Sequence, residues 1–219
     1  QLITVSVLPL EAGLRPIVDL KGLGGTTLAT GTALAAGQQA VVQVIPAPVT
    51  GNYTITVRSA DATAGSYAVA VYLNSQLETE AITGTGNNSA ANAESLDAAT
   101  LLLDATAGRV AVLGMSDNEN DFYRFSLTVG QTSTIAALPL SGTIAQLELL
   151  SPTGTPLGLG ILSDNGQMTI RGFTATVAGE YVVRVRGGAN TNYVLVATRD
   201  ADLDLEPNDD LAAARPMIG

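Results

Sequence analysis

Apolar and polar positions alternate along this chain in short, evenly spaced runs. In Gln1–Leu10, Ile3, Val5 and Val7 alternate with Leu2, Thr4 and Ser6, the period of two expected of a half-buried strand. Ile17–Leu20, Ala40–Ile45, Gly51–Val57 and Gly65–Val71 predict further strands. Pro46 and Pro48 close the third of these runs, and Ser59–Ala64 turns between the last two. Lys21–Gly25 reads as a glycine turn, because a phosphate loop needs a following helix and a GK[ST] ending that are missing here. In the second half, strands are predicted at Arg109–Leu113, Asp121–Leu127, Gln131–Leu140, Gln146–Leu150, Gln167–Phe173, Gly179–Val185 and Asn192–Val196. Tyr123, Phe125 and Leu127 are expected on the inner face of theirs. Ser151-Pro-Thr-Gly154 has the proline and glycine positions of a type I turn. No stretch makes a convincing amphipathic helix. The pattern is that of an all-β chain built as a β-sandwich of jelly-roll-like kind.

The second half repeats the first. Gln131–Leu140 matches Gln1–Leu10, and Gly179-Glu-Tyr-Val-Val-Arg-Val185 matches Gly51-Asn-Tyr-Thr-Ile-Thr-Val57. Asn192–Val196 matches Ser66–Ala70, and Asn208–Ala214 matches Asn87–Ala93. The spacing between copies shrinks slowly along the chain, as loop insertions between equivalent strands would make it. Three segments follow: 1–76, an incomplete sandwich; 77–200, a complete one with an acidic linker ahead of it; and 201–219, a linker that opens a third copy. The first copy lacks counterparts of Arg109–Leu113 and Asp121–Leu127. Trimming accounts for this, and so does a strand donated from elsewhere to the exposed edge. Gln1 is neither a Met nor part of a signal peptide, which predicts a mature piece or a fragment.

Composition narrows the chemistry. The chain has 219 residues, 23 Gly, 9 Pro, a hydrophobic fraction of 46% and a net charge of −10, which suits an ordered, turn-rich protein. Lys21 is the only lysine, so the clustered cations that phosphates require are missing, and no nucleic-acid partner is expected. No apolar run is long enough for a membrane span. With no Cys and no His, thiolate chemistry, the usual zinc sites and Ser-His-Asp or Cys-His machinery are excluded.

Two stretches concentrate acids and amides, the donors that hard cations take: Asp202–Ala214 and a worn copy at Glu78–Ala93. Together with Asn120-Asp-Phe-Tyr-Arg-Phe125 and the pair of Tyr-bearing strands at Gly179–Val185 and Asn192–Val196, they resemble the bacterial pre-peptidase C-terminal (PPC) domain, a family close to the collagen-binding domains of clostridial collagenases. The resemblance spans the second copy, the later strands of the first and the start of a third. It implies β-sandwiches attached to secreted peptidases or large surface proteins, with linkers that fold back to bind calcium. Carried onto this chain, Glu78 and Glu80 are linker carboxylates, Asn87 and Asn88 the amide pair, and Asp117, Asn118 and Asp121 the facing loop and strand start. Asp204, Glu206, Asn208 and Asp209 have the linker role in the outer copy. The inner linker departs from this pattern, since Ala81–Gly86 is inserted and Asn88 stands where the other copy has Asp209. Weaker Ca2+ binding, or none, is expected there. The plainer reading is a solvated linker, with Ser89–Ala93 the capped start of a short helix.

Other functions fit less well. Glu148 and Glu180 could form a carboxylate pair of glycosidase type, but each is explained as the polar side of a strand. Arg184 and Arg186 share a face near Glu180, which predicts cross-strand ion pairing. Tyr53, Tyr67, Tyr181 and Tyr193 recur at equivalent positions and are expected in the core. Only Tyr72, with Phe122 second, is left for an aromatic platform. The sequons at Asn52 and Asn87 read as coincidence. The expectation is a non-catalytic extracellular or cell-surface module of a large bacterial protein, serving as spacer, assembly or adhesion element beside neighbouring domains or subunits. The alternatives are the substrate-binding or targeting appendage of a secreted protease, and a fibre or filament subunit completed by a neighbour's strand.

Overall fold

The computed structural model describes residues 1–163 and 165–204. They form a first unit, Gln1–Thr85, and a second that starts at Gly86. The chain is all-β, built from several mostly antiparallel sheets.

The first unit contains β1 (Leu2–Pro9), β2 (Pro16–Lys21), β3 (Thr27–Thr32), β4 (Ala40–Pro46), β5 (Thr54–Ser59), β6 (Tyr67–Leu73), the short β7 (Gln76–Leu77) and the single-turn helix α1 (Glu80–Thr83). One sheet has the order β4-β1-β6 and the other β3-β2-β5. Ile3, Val5 and Val7 of the first sheet meet Val18 and Leu20 of the second in a shared core, the burial that the period-two pattern demands.

The second unit contains β8 (Glu94–Ser95), β9 (Leu101–Leu102), β10 (Gly108–Ser116), β11 (Asn120–Leu127), β12 (Thr132–Pro139), β13 (Ile144–Leu150), β14 (Pro156–Leu159), β15 (Ile161–Leu162), β16 (Met168–Thr174), β17 (Gly179–Gly187) and β18 (Thr191–Arg199). One sheet runs β15-β16-β12-β18-β10, with β9 on β10; the other runs β14-β13-β17-β11-β8. Their inner faces enclose Tyr123, Phe125, Tyr181, Tyr193 and Leu195.

The two units share one frame. The order β16-β12-β18 reproduces β4-β1-β6, and β14-β13-β17 reproduces β3-β2-β5. Local devices recur at the positions that the repeat aligns. The Tyr53 hydroxyl donates to the Val49 carbonyl at 2.9 Å, and the Tyr181 hydroxyl to the Val177 carbonyl at 2.8 Å. Leu2 and Asn74 exchange two hydrogen bonds, as do Thr132 and Asp200, and both Asn74 and Asp200 have positive φ. Each first strand bulges at a threonine, Thr4 or Thr134, whose hydroxyl accepts from the N–H of a positive-φ residue on the neighbouring strand. That residue is Gly172 (φ 62°) in the second unit but Val44 (φ 51°) in the first, where a β-branched side chain is strained.

They differ in cover. In the second unit β10 lies beside β18 and β11 beside β17; the sheet orders of the first unit stop at β6 and β5. These are the two strands whose counterparts the first copy lacks.

Two strands and a missing cap depart from the expected pattern, and two turns follow it. The strands β3 and β14 arise where threonines, glycines and prolines obscure any alternation. Ser89 makes no side-chain cap, and a 3-10 turn covers only Ala90–Asn92. Lys21–Gly25 is a turn, closed by a 3-10 segment at Leu23–Gly25. Gly154 N–H donates to Ser151 O at 2.8 Å, closing the expected turn.

Candidate functional site

The residues nominated as calcium ligands fall on different parts of the fold. Glu78, which is buried, and Glu80, which opens α1, belong to the first unit. Asn87, Asn88, Asp117, Asn118 and Asp121 belong to the second. There the linker does lie against the strand carrying Asp121. Phe122 N–H donates to the Asn87 carbonyl at 2.9 Å, Arg124 donates to the Ala93 carbonyl at 2.8 Å, and β8 runs parallel to β11 with Glu94 opposite Tyr123. The Asn88 amide donates to the Glu119 carboxylate. Asp117, Asn118 and Glu119 sit exposed in the β10–β11 turn, which bends through Asn118 at φ 64°. Ser116 ties this turn down: its hydroxyl donates to the Glu119 carbonyl at 3.0 Å and accepts from Gly187 N–H at 3.2 Å.

Asp121 faces the other way. It is buried, and its Oδ2 accepts the Tyr193 hydroxyl at 2.7 Å; that hydroxyl lies 2.7 Å from the Tyr123 hydroxyl, with the two rings edge to face. Gly114 makes room for the pair, because a Cβ there would come within 2.5 Å of the Tyr193 ring and 2.6 Å of the Tyr123 hydroxyl. The chain thus carries a buried acid–tyrosine knot, Asp121–Tyr193–Tyr123, that joins β11 of one sheet to β18 of the other. The sequence placed both tyrosines inside, whereas the family resemblance nominated the acid as a calcium ligand facing the linker. A lone glycine in β10 at the level of two buried tyrosines was the available signal.

By chemistry the exposed oxygens of Asp117, Asn118 and Glu119 suit a hard cation, and the linker amide of Asn88 reaches the same turn. By position the set is split, since one oxygen of Asp121 is engaged in the core. Among the described residues no group of three or more acids is placed to hold a metal ion. In the outer linker Asp204 is exposed, while Glu206, Asn208 and Asp209 lie outside the described residues.

Several other acids are tied to arginines in ion pairs. Arg184 binds Glu148 at 2.8 Å, and Arg124 binds Glu180 at 3.1 Å; the expected cross-strand ion pairing of Arg184 is thus present, with Glu148 directly opposite it across β13 and β17. Asp19 occupies the same place in the first unit and takes Thr30 and Arg58 instead. Those hydrogen bonds hold its carboxyl below the ordinary value of 3.8. For Asp97, burial raises the pKa, but the Ser126 hydroxyl and N–H and the Arg199 guanidinium outweigh it, and the group stays below 3.8. Asp202 follows the same balance, with burial opposed by Arg171 at 2.7 Å and Thr134 at 2.8 Å.

Aromatic side chains divide sharply between the units. Tyr181 and Tyr193 are fully buried, as expected, but Tyr53 is only half-buried and Tyr67 is 45% exposed. The core assignment of Tyr67 is therefore corrected, and the reason is its position on an uncovered strand. Tyr72 and Phe122 are both half-buried and lie in different units, so they make no shared platform.

No family model matches the chain, and no curated protein matches it. Among solved structures it is similar to the Aeromonas hydrophila PliG, a periplasmic inhibitor of g-type lysozyme, at 13% identity and a TM-score of 0.34, covering 49% of this chain and 95% of that one. The Salmonella Typhimurium PliG gives 14%, a TM-score of 0.29, and 48% and 97% coverage. A conserved protein of Pseudomonas aeruginosa PAO1 gives 10%, a TM-score of 0.27, and 91% and 71% coverage. Likenesses this distant carry no argument about function. Among the described residues no helix is long and apolar enough to cross a membrane.

Proposed function

We propose that this chain is a non-catalytic repeat module of a large secreted or cell-surface bacterial protein, of the pre-peptidase C-terminal kind, acting as a spacer or assembly element. The observation that carries this reading is the duplicated frame. Two units reproduce the same strand orders and the same three backbone devices, which is how modules repeated for length and spacing are built. The acids nominated for catalysis support it as well, since Glu148 and Glu180 are each bound to an arginine across neighbouring strands. The test is an assay of the chain against peptide and glycoside substrates. No turnover is expected. Turnover lost in Glu148→Gln or Glu180→Gln would overturn the reading.

Calcium stiffening of the inner linker is part of the same proposal, favoured by the Asn88–Glu119 contact that brings linker and turn together. Asp117, Asn118 and Glu119 would supply the oxygens of the second unit, with Asn88 beside them, and the ion would add fixed charge where linker and turn meet. Thermal unfolding in millimolar calcium against EGTA tests it, because an ion that binds the folded state raises the midpoint. The rise is expected to disappear in Asp117→Ala. The same midpoint in both buffers would remove calcium from this linker. The runner-up is the binding or targeting appendage of a secreted protease. A peptidase domain on the same natural polypeptide would establish it.

A further inference from the structure

In the second unit, β10 and β11 close the sandwich over β18 and β17. Every alternate residue of β10 falls opposite a core residue of β18: Val110 against Ala197, Val112 against Leu195, Gly114 against Tyr193. Ala197, Leu195 and Tyr193 are fully buried as a result.

The first unit presents the same residues uncovered. Val71, Val69 and Tyr67 are the repeat counterparts of Ala197, Leu195 and Tyr193, and they are 50%, 44% and 45% exposed. All three lie on the core side of the sheet, because β6 pairs with β1 in a register that sets Val71 beside Val5 and Val69 beside Val7, both fully buried. Ile55 and Val57 on β5 are half-buried where their counterparts Val183 and Val185 are fully buried. Between β5 and β6 opens a cleft of about 230 Å³, lined by Leu14, Pro16, Val57, Arg58 and Tyr67. Val57 corresponds to Val185, which pairs with Asp121, and Tyr67 to Tyr193, which Asp121 binds. The cleft thus lies where the buried acid and Tyr123 sit in the second unit.

We propose that this face is a strand-acceptor groove whose occupant is a two-strand segment of the β10–β11 type, joined to Gln1 through a short turn. Its first strand pairs antiparallel with β6 and its second antiparallel with β5, as β10 and β11 do with β18 and β17. Three requirements on the occupant follow from the second unit. Apolar residues must alternate towards Val71 and Val69. The residue opposite Tyr67 must be glycine, since a Cβ at Gly114 would collide with the ring of Tyr193. An acid on the second strand, at the Asp121 position, must reach the Tyr67 hydroxyl. The point of attachment comes from the same template: Thr128–Gln131 turn β11 into β12, and β1 is the counterpart of β12. The inference rests on the modular reading above but not on calcium or on an extracellular setting.

The experiment places a copy of residues Gly108–Gly130 directly ahead of Gln1 in the full chain and follows amide hydrogen exchange. Amides of β5 and β6 should slow about tenfold or more, while β17 and β18 stay unchanged. Val69→Asp should leave the unextended chain folded, because the side chain is half-exposed there, and should abolish the slowing in the extended one. An extended chain whose second unit is intact but whose β5 and β6 exchange as before overturns the proposal. Should the extended chain aggregate, the same segment added as a separate peptide must slow the same amides, and its failure to do so counts equally against the groove. A dimer of the unextended chain that Val69→Asp dissociates would make a second copy the occupant and overturn it too. None of these outcomes depends on the assays of turnover or calcium, so the modular reading and the groove can fail separately.

Discussion

Tyr67 and Tyr193 stand at the same point of the same frame, one nearly half in solvent and the other fully buried against an acid and a second tyrosine. The strands beneath them, β1 and β12, are buried almost identically. What separates the two units is therefore the presence or absence of two covering strands, and not the quality of the sheets. The comparison teaches that alternation specifies a face, whereas only a neighbouring strand buries it.

The largest effects should come from removing core volume under that cover. Leu195→Ala should cost the second unit about 2–5 kcal/mol in denaturant unfolding, whereas Val69→Ala in the first should cost well under about 1 kcal/mol. Equal losses would mean that β6 is covered after all. Next is the buried knot. Asp121→Ala leaves the Tyr193 and Tyr123 hydroxyls short of an acceptor and should cost about 1–3 kcal/mol with or without calcium; Asp117→Ala should leave calcium-free stability nearly unchanged. Backbone strain at the bulge follows. Gly172→Val should destabilise the second unit by about 1–2 kcal/mol, with a smaller effect from Val44→Gly, where relief of strain is partly offset by the freedom glycine adds to the unfolded chain.

The smallest expected effect is acidic. Asp19, Asp97 and Asp202 all titrate below their ordinary 3.8 when folded, so each contributes stability that is present above that value and is lost as pH falls through the lower, folded-state value. Asp19 serves the first unit and the other two the second. Unfolding midpoints measured from pH 6 down to about 2 should fall most steeply below the ordinary carboxylate value, and Asp97→Asn should flatten that fall for the second unit only.

Much of the fold was legible in the sequence because its signals are local. Alternation marked β1, β11, β12 and β18, tyrosines and glycines aligned the two copies, and the missing counterparts of Arg109–Leu113 and Asp121–Leu127 correspond to β10 and β11. The strands β3 and β14 escaped because exposed edge positions tolerate threonine, glycine and proline and so leave no period. The site was less legible. The family resemblance nominates Asp121 as a ligand facing the linker, but its partner Tyr193 lies far along the chain, and only the fold brings the two together. Tyr67 failed in the opposite sense: its sequence context is that of a core residue, and exposure comes from strands that its unit does not contain.

The difference between the two units requires that β5 and β6 form an open edge. Residue-resolved hydrogen exchange of the chain as it is tests this most directly. Alternate amides of β6, those turned away from β1, should exchange near the rate of an unstructured chain, while amides of β18 from Tyr193 to Ala197 stay protected on both sides. Uniform protection across β6, matching that of β18, would contradict the account.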